Sequence, residues 1–500
     1  MACQMTEASA PLAGEGVASG TMPTRVWPVP LLLATLFAVT LLRLAMAAMV
    51  PLAPDEAYYW VWSHALAPGY ADHPPMVALW IRVGTWVAGD GPLGIRLLGP
   101  IAVGLASVLL ADAGETLFPG QRNGVRAAVL LNATLLFGVG AIIMTPDTPL
   151  LVFWAACLWA MARMWRSGDA RWWLAIGLFA GLAMASKYTA ALLWFGIVAW
   201  LLITPSQRFW LRRAMPWIGA LLGVAIFMPV VVWNAGHDWT SFARQGGRLG
   251  DWQPANALRF VPELIAGQFG LVTPLIFVFC IGGMLRAAHE ALRSRDPGWT
   301  MLAALSLPGA VLFLQHAFGD RVQGNWPAII YPAASIAAAQ LRSPPWRRIW
   351  TPAIALGVVI TLLAYAQASV GLLPLPVRLD PIALMLSGWG KLAAQVDAMR
   401  RRAGATFVAA DQYGVGAELA HEMRVPVVGI EPRWLPFDLP RAEIAGQVGI
   451  LVQSGGGEPD HTPWSSITEL SAVKRGIQTY RIYRVTASVA LGSVPLLVRN

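Results

Sequence analysis

Residues 172–203 read WWLAIGLFAGLAMASKYTAALLWFGIVAWLLI, thirty-two positions with one charge, Lys187. About 20 consecutive apolar residues suffice to cross the hydrocarbon core of a bilayer as a helix, so this stretch belongs in a membrane. It reads as one long helix or as two short ones meeting at the polar stretch 186–189, and the lysine lies where the two would meet. A cation between apolar segments is costly, and it points to an anionic partner and a functional role.

Similar runs recur on both sides. Of the 500 residues, 56% are hydrophobic and 13% charged, with 24 tryptophans, about half the charged fraction of an average soluble domain. Eleven spans are expected, near 28–50, 94–113, 125–144, 148–165, 171–186, 188–204, 214–234, 263–285, 299–317, 325–341 and 349–370. Arginines gather at alternate ends of this path: Arg122 and Arg126; Arg163, Arg166 and Arg171; Arg208, Arg212 and Arg213; Arg286, Arg293 and Arg295; Arg342, Arg347 and Arg348. Loops rich in Lys and Arg stay in the cytoplasm, so the remaining loops and the chain after 370 are expected outside it. Most of the net charge of +9 lies in these arginines, which argues topology rather than nucleic-acid binding.

The expected fold is therefore an all-α polytopic membrane domain over residues 25–370, with a first outer loop at about 51–93. Residues 1–24 read as a disordered cytoplasmic tail with no cleaved signal peptide. After 370 the tryptophan-rich spans stop. TFVAADQY, VPVVGI, GILVQSG and TYRIYRV look like strands, while GKLAAQVDAMRRRAG, GVGAELAHEM and SITELSAVKRG have helical spacing. A small extracytoplasmic α/β domain over 371–500 is the reading. Its GVG lacks the third glycine and the downstream acid of a nucleotide-binding turn. Of the three cysteines, Cys157 and Cys280 fall inside expected spans and Cys3 in the tail, so no disulfide framework is readable.

Polar residues concentrate in the outer segments. Asp55 and Glu56 open a helical pattern, where carboxylates ordinarily cap the free N–H groups. At i, i+4 and i+7, Asp55, Tyr59 and Trp62 share a face that sets a carboxylate above an aromatic wall, a surface suited to a sugar. The other rings, Tyr58 and Trp60, read as an interfacial aromatic belt. Asp72 and His73 form a turn before Pro74 and Pro75, and with Glu56 they offer ligands for a divalent cation. His237 is a further metal candidate, although no tight ligand spacing occurs. Asp147, between Pro146 and Pro149, is a turn residue or a second carboxylate facing the first. Arg43, two turns inside the first span, could snorkel to the interface. Arg244, Arg248, Arg259 and Arg321 add outer cations, a set suited to a lipid phosphate.

Six segments in order, PDEAYYWVWS, GYADHPPM, TPDTPLLVFW, GLAMASKYTA, PVVVWNAGHDWTSFARQ and QGNWPAIIYPAA, cover most of residues 43–335. Together they resemble the GT-C-type glycosyltransferases that use polyprenyl-phosphate sugars, a group including protein O-mannosyltransferases and the bacterial enzymes that add aminoarabinose or galacturonic acid to lipid A. The resemblance implies a GT-C fold, a polyprenyl-phosphate-linked sugar donor, an acceptor reached from the periplasmic side of the bacterial inner membrane, and inversion at the anomeric carbon. It implies that Asp55 is the acidic catalytic residue of the first outer loop and Asp147 the second, with Glu56 beside them. Arg43, Tyr59, Trp62, Asp72, His73, Lys187, Tyr188, Arg244, Arg248, Arg321 and Asn325 make up the implied substrate-binding set.

The lumenal insertion of eukaryotic protein mannosyltransferases is absent and the C-terminal domain differs, which favours a glycolipid acceptor, lipid A or lipopolysaccharide core, over a protein. No cofactor is certain, and a divalent cation is left open. The competing class is a transporter or flippase for lipid-linked sugars, although its polar groups belong at mid-membrane rather than on one side.

Overall fold

The structure is a computed structural model, described for residues 29–120, 122–246 and 252–497. Among the described residues seven helices are long and apolar enough to cross a membrane: Pro30–Met49, Pro92–Leu117, Asp147–Ser167, Ala214–Ala235, Pro274–Arg293, Pro297–His316 and Pro344–Val370. A strongly bent pair, Tyr188–Ile203 with Pro205–Arg212, brings the count to eight at most. The expectation of eleven spans meets shorter or broken helices at 125–144, 171–186 and 325–341. The region 125–144 breaks after Asn132, where Thr134 caps a second short helix, Leu135–Gly140. The expected span 263–285 straddles a break at 272–273 between Ala257–Leu271 and Pro274–Arg293.

Residues 172–203 form two helices, Trp172–Met184 and Ala191–Ile203, joined by the 3₁₀ turn Tyr188–Ala190. Lys187 stands in extended conformation at the break. The first of these helices lies against Ala214–Ala235 with no room for a side chain at the facing glycines. A Cβ on Gly177 would stand 1.9 Å from the Gly219 carbonyl oxygen, and one on Gly219 would stand 2.2 Å from that of Trp173. Small residues allow such approach where hydrophobic burial does not by itself drive helices together. Asp147–Ser167 is the interior helix, with 72% of its apolar window buried, against 22% for the peripheral Ala214–Ala235 and Pro344–Val370.

Arginine-bearing loops converge at one end: Arg126 donates to the Ala339 carbonyl at 3.2 Å, Arg286 to that of Gln340 at 3.0 Å, and Arg342 to Asn123 at 2.6 Å. At the other end two loop helices, Pro54–His64 and Met76–Ala88, pack beneath the C-terminal domain.

That domain carries strands β1 (Phe407–Ala410), β2 (Val427–Gly429), β3 (Arg441–Ala442), β4 (Val448–Ser454), β5 (Trp464–Arg475), β6 (Gln478–Ala487) and β7 (Val494–Pro495). Five form a sheet in the order β2-β1-β4-β6-β5. β1 is parallel to β2 and to β4, while β4 and β5 run antiparallel to β6; β3 and β7 pair separately. SITELSAVKRG, expected as a helix, is part of β5. Pairing along β6 through the Gly476 turn (φ +62°) overrides its helical spacing, as hairpin partners often do for weakly patterned segments. The helices Trp389–Arg402 and Tyr413–Glu422 fall where expected.

The aromatic belt expected at the interface is not there. Tyr58, Trp60 and Trp62 are 0–2% exposed and belong to a core shared by the loop helices and the C-terminal domain. Trp62 stacks on Tyr70 with ring centroids 4.2 Å apart, so it does not offer a wall to a sugar.

Candidate functional site

The helix Pro54–His64 begins at Ala53, and the adjacent carboxylates part company there. Glu56 is fully buried and accepts from the Ala53 N–H at 3.0 Å, half of a capping box, since Ala53 has no side-chain acceptor to return the bond. It also takes the Arg96 guanidinium in bidentate fashion at 2.7 and 2.5 Å, and the Met144 N–H at 2.8 Å. Arg96, 1% exposed, spends its remaining donors on the carbonyls of Ala47, Val50 and Pro51. Both oxygens of Glu56 are thus committed to holding the loop helix on the ends of two spans, and neither is turned to a metal or a substrate.

Asp55 makes no capping bond. It is exposed, and its Oδ1 accepts from the Tyr413 hydroxyl of the C-terminal domain at 3.0 Å. Desolvation by the surrounding protein raises its carboxyl above the ordinary range, opposed by the Tyr413 hydrogen bond and reinforced by the charge of Asp72.

Asp72 gathers the outer loops. It accepts from Arg244 at 2.6 Å, from the Tyr58 hydroxyl at 2.9 Å and from Arg433 at 3.2 Å, while its backbone carbonyl takes the Gln245 amide at 2.8 Å. Burial alone would raise its carboxyl, but the two guanidinium groups outweigh burial and hold it below the usual value. Neighbouring His73 meets Tyr59 edge-on, with centroids 6.2 Å apart.

A second cluster lies at the break in residues 172–203. The Lys187 ammonium meets both oxygens of Asp147 at 2.8 and 2.9 Å, and Asn325 donates to Asp147 at 2.5 Å. Lys187 and Asp147 are each 6% exposed. Asp147 is the first residue of its helix, yet its side chain caps nothing. Tyr188 bonds to Ser241 and receives Asn234 at 3.5 Å.

Three links tie the clusters together. Glu56 bonds Met144, three residues before Asp147; the Met76 N–H bonds the Ala185 carbonyl, two residues before Lys187, at 3.1 Å; and Tyr188 reaches Ser241, three residues before Arg244.

Other expected residues stand apart. Arg43 is 2% exposed and donates to Asn132 at 3.0 Å. It does not snorkel, because a polar partner is available inside the helix packing. Arg321 pairs with Glu263 at an exposed position. His237 stacks on Trp233 at 4.0 Å and bonds the Trp233 carbonyl, so its ring serves the turn that follows the helix. Among the described residues no group of three or more His, Cys, Asp or Glu side chains converges as a metal site. Arg248 and the expected tail at 1–24 lie outside the described residues.

Sequence reasoning missed Arg96, Tyr413 and Arg433. Tyr413 follows β1 and Arg433 follows β2, both past the carboxyl ends of parallel strands, where α/β domains place functional groups. That position was the available signal. Arg96 had one too, as an arginine at the mouth of an apolar span that requires an acidic partner.

The family described as dolichyl-phosphate-mannose-protein mannosyltransferase matches residues 72–233. The lipid A galacturonosyltransferase RgtD of Rhizobium johnstonii is 28% identical over 411 residues, 79% of this chain and 85% of that one. The undecaprenyl phosphate-α-4-amino-4-deoxy-L-arabinose arabinosyl transferase 1 of Pseudomonas fluorescens is 25% identical over 62% of this chain and 58% of its own length. The crystal structure of ArnT from Cupriavidus metallidurans bound to undecaprenyl phosphate superposes with a TM-score of 0.61 at 15% identity, covering 94% of this chain and 99% of that one. The chain thus has the fold of ArnT and is similar in sequence to membrane glycosyltransferases of the GT-C type.

Proposed function

We propose that this enzyme transfers one sugar from a polyprenyl-phosphate donor to lipid A or the lipopolysaccharide core, on the periplasmic side of the bacterial inner membrane. The observation that carries the reading is that an exposed carboxylate, Asp55, and a buried cation, Lys187, both lie in one connected set of loops opposite the arginine-rich end. The relatives suggest the substrate class: RgtD, aligned over 79% of this chain and 85% of its own, is a galacturonosyltransferase, and the arabinosyl transferase is named for undecaprenyl phosphate, so undecaprenyl-phosphate galacturonic acid is the first donor to test.

The acceptor hydroxyl gives its proton to Asp55 as its oxygen attacks the anomeric carbon. The bond from that carbon to the phosphate oxygen breaks on the opposite face, its electrons leaving with the polyprenyl phosphate, and the sugar inverts. Positive charge develops on the sugar, as in glycoside hydrolysis, and negative charge on the leaving phosphate. Lys187 stabilises that phosphate; an ammonium carries three donors, and its bonds to Asp147 leave capacity for a phosphate oxygen. Asp72, held between Arg244 and Arg433, fixes the outer loops around the sugar.

The test is mass spectrometry of lipid A from a strain lacking the gene, complemented with wild type or with Asp55→Asn. Loss of one sugar-sized mass, restored by wild type and not by the variant, is expected. Restoration by the variant overturns the role of Asp55. An unchanged lipopolysaccharide overturns the acceptor. Accumulated lipid-linked sugar with no acceptor modified in any strain moves the reading to a transporter.

A further inference from the structure

We propose that the C-terminal domain is part of the catalytic centre, with Tyr413 as the positioning residue for the Asp55 carboxylate. The inference rests on the reading of Asp55 as the acting carboxylate, and it gives the domain a role beyond covering the site.

The contact is built rather than incidental. The helix Tyr413–Glu422 approaches the loop helix Pro54–His64 so closely that a Cβ on Gly414 would stand 3.0 Å from Pro54 Cβ. The Tyr413 ring is held by two neighbours. Its centroid lies 4.5 Å from that of Tyr58, and the Arg433 guanidinium stands 4.0 Å from it. Arg433 is itself anchored to Asp72, and Trp434 packs edge-on against Tyr58 at 5.1 Å. With the ring clamped, its hydroxyl has a fixed position, and it donates to Asp55 Oδ1.

Asp55 needs this help because its side chain has no other hydrogen bond among the described residues: no cap, and no backbone donor of its own helix. A solvent-exposed carboxylate without a partner rotates among staggered conformers. Occupying Oδ1 selects one conformer and leaves Oδ2 as the proton acceptor. The donor also favours the charged form and so counteracts the desolvation that raises the carboxyl.

The experiment uses the full-length enzyme in detergent, with undecaprenyl-phosphate galacturonic acid and lipid A as probes. Tyr413→Phe keeps the ring and removes the hydroxyl. The expected result is a fall in kcat of about tenfold to a hundredfold, the range for losing a hydrogen bond to a charged group. KM for both substrates stays within about twofold, and the acidic limb of kcat/KM moves to higher pH. Added to Asp55→Asn, the substitution produces no further loss, because the group it positions is gone.

Site-specific 3-fluorotyrosine at 413 preserves shape and strengthens the donor, so its acidic limb moves to lower pH even if Tyr413→Phe folds poorly. Unmoved limbs in both variants, or a loss that tracks a lower melting temperature alone, overturn the proposal. Turnover retained in Asp55→Asn overturns the underlying reading instead, and an inactive Asp55→Asn beside an unaltered Tyr413→Phe overturns only the role of Tyr413.

Discussion

Asp55 and Glu56 are neighbours in the chain and opposites in environment. Consecutive helical residues point about 100° apart, which is enough to send Glu56 into the buried clamp with Arg96 and Asp55 toward Tyr413. Their substitutions should separate accordingly. Glu56→Gln leaves the Arg96 charge buried without its counterion and is expected to destabilise the protein by about 3–5 kcal/mol, the usual result of breaking a buried pair from one side. Thermal unfolding in detergent reads this. Asp55→Asn removes neither a cap nor a buried pair, so its melting temperature should match wild type while turnover falls by about 10²- to 10⁴-fold, the ordinary contribution of a general base. As the proposed base, the same residue should set the pH dependence. Its carboxyl is raised by desolvation, and the base acts only when deprotonated, so kcat/KM should decline as pH falls through a value above the ordinary carboxylate figure of about 3.9. A pH–rate profile on the purified enzyme checks this: an acidic limb at or below that figure would show the carboxyl is not raised, and the same limb persisting in residual activity of Asp55→Asn would remove Asp55 as the base.

Among elements, the broken helix at 172–203 matters most. A continuous helix would carry Lys187 as one more interior side chain; the break puts it in extended conformation against Asp147, at the start of the most buried long helix. Lys187→Met alone should cost about 3–5 kcal/mol by stranding Asp147. Lys187→Met with Asp147→Leu should recover most of that, since apolar replacement of a buried pair is often neutral or stabilising. If the pair serves the leaving phosphate, activity stays lost in the double variant. Stability and activity recovering together would make the pair merely structural. Nearby, Gly219 has the Trp173 carbonyl where a side chain would begin. Gly219→Leu is expected to push the two helices apart at a cost of about 1–3 kcal/mol or more, read as a lower melting temperature.

Over the whole molecule, the site is divided between parts far apart in the chain. Asp55 and Tyr413 are 358 residues apart, and Asp72 and Arg433 are 361. If Tyr413 positions Asp55 as proposed, activity depends on how the C-terminal domain sits on the loop helices. Gly414→Leu, which would force Pro54 away, is expected to lower turnover by up to about 10²-fold, the scale of an ångström-sized misplacement. It should speed proteolytic cleavage after Val370 and leave the membrane helices' melting unchanged. Equal turnover in variant and wild type would show that docking is not needed.

The class of molecule and the location of its polar chemistry were legible in the amino-acid sequence, because apolar run length, arginine spacing and turn residues act locally through the solvent each segment prefers. Thus Lys187 and Asp147 were identifiable as costly polar residues beside membrane segments, though not as each other's partner. The structure alone decided which carboxylate faces a buried arginine, which aromatic rings form a core rather than an interfacial belt, and that SITELSAVKRG is a strand. Each of these depends on a neighbour from another part of the chain. Local spacing sets the face a side chain occupies; tertiary packing sets what that face meets, and at Asp55 it is the hydroxyl of Tyr413.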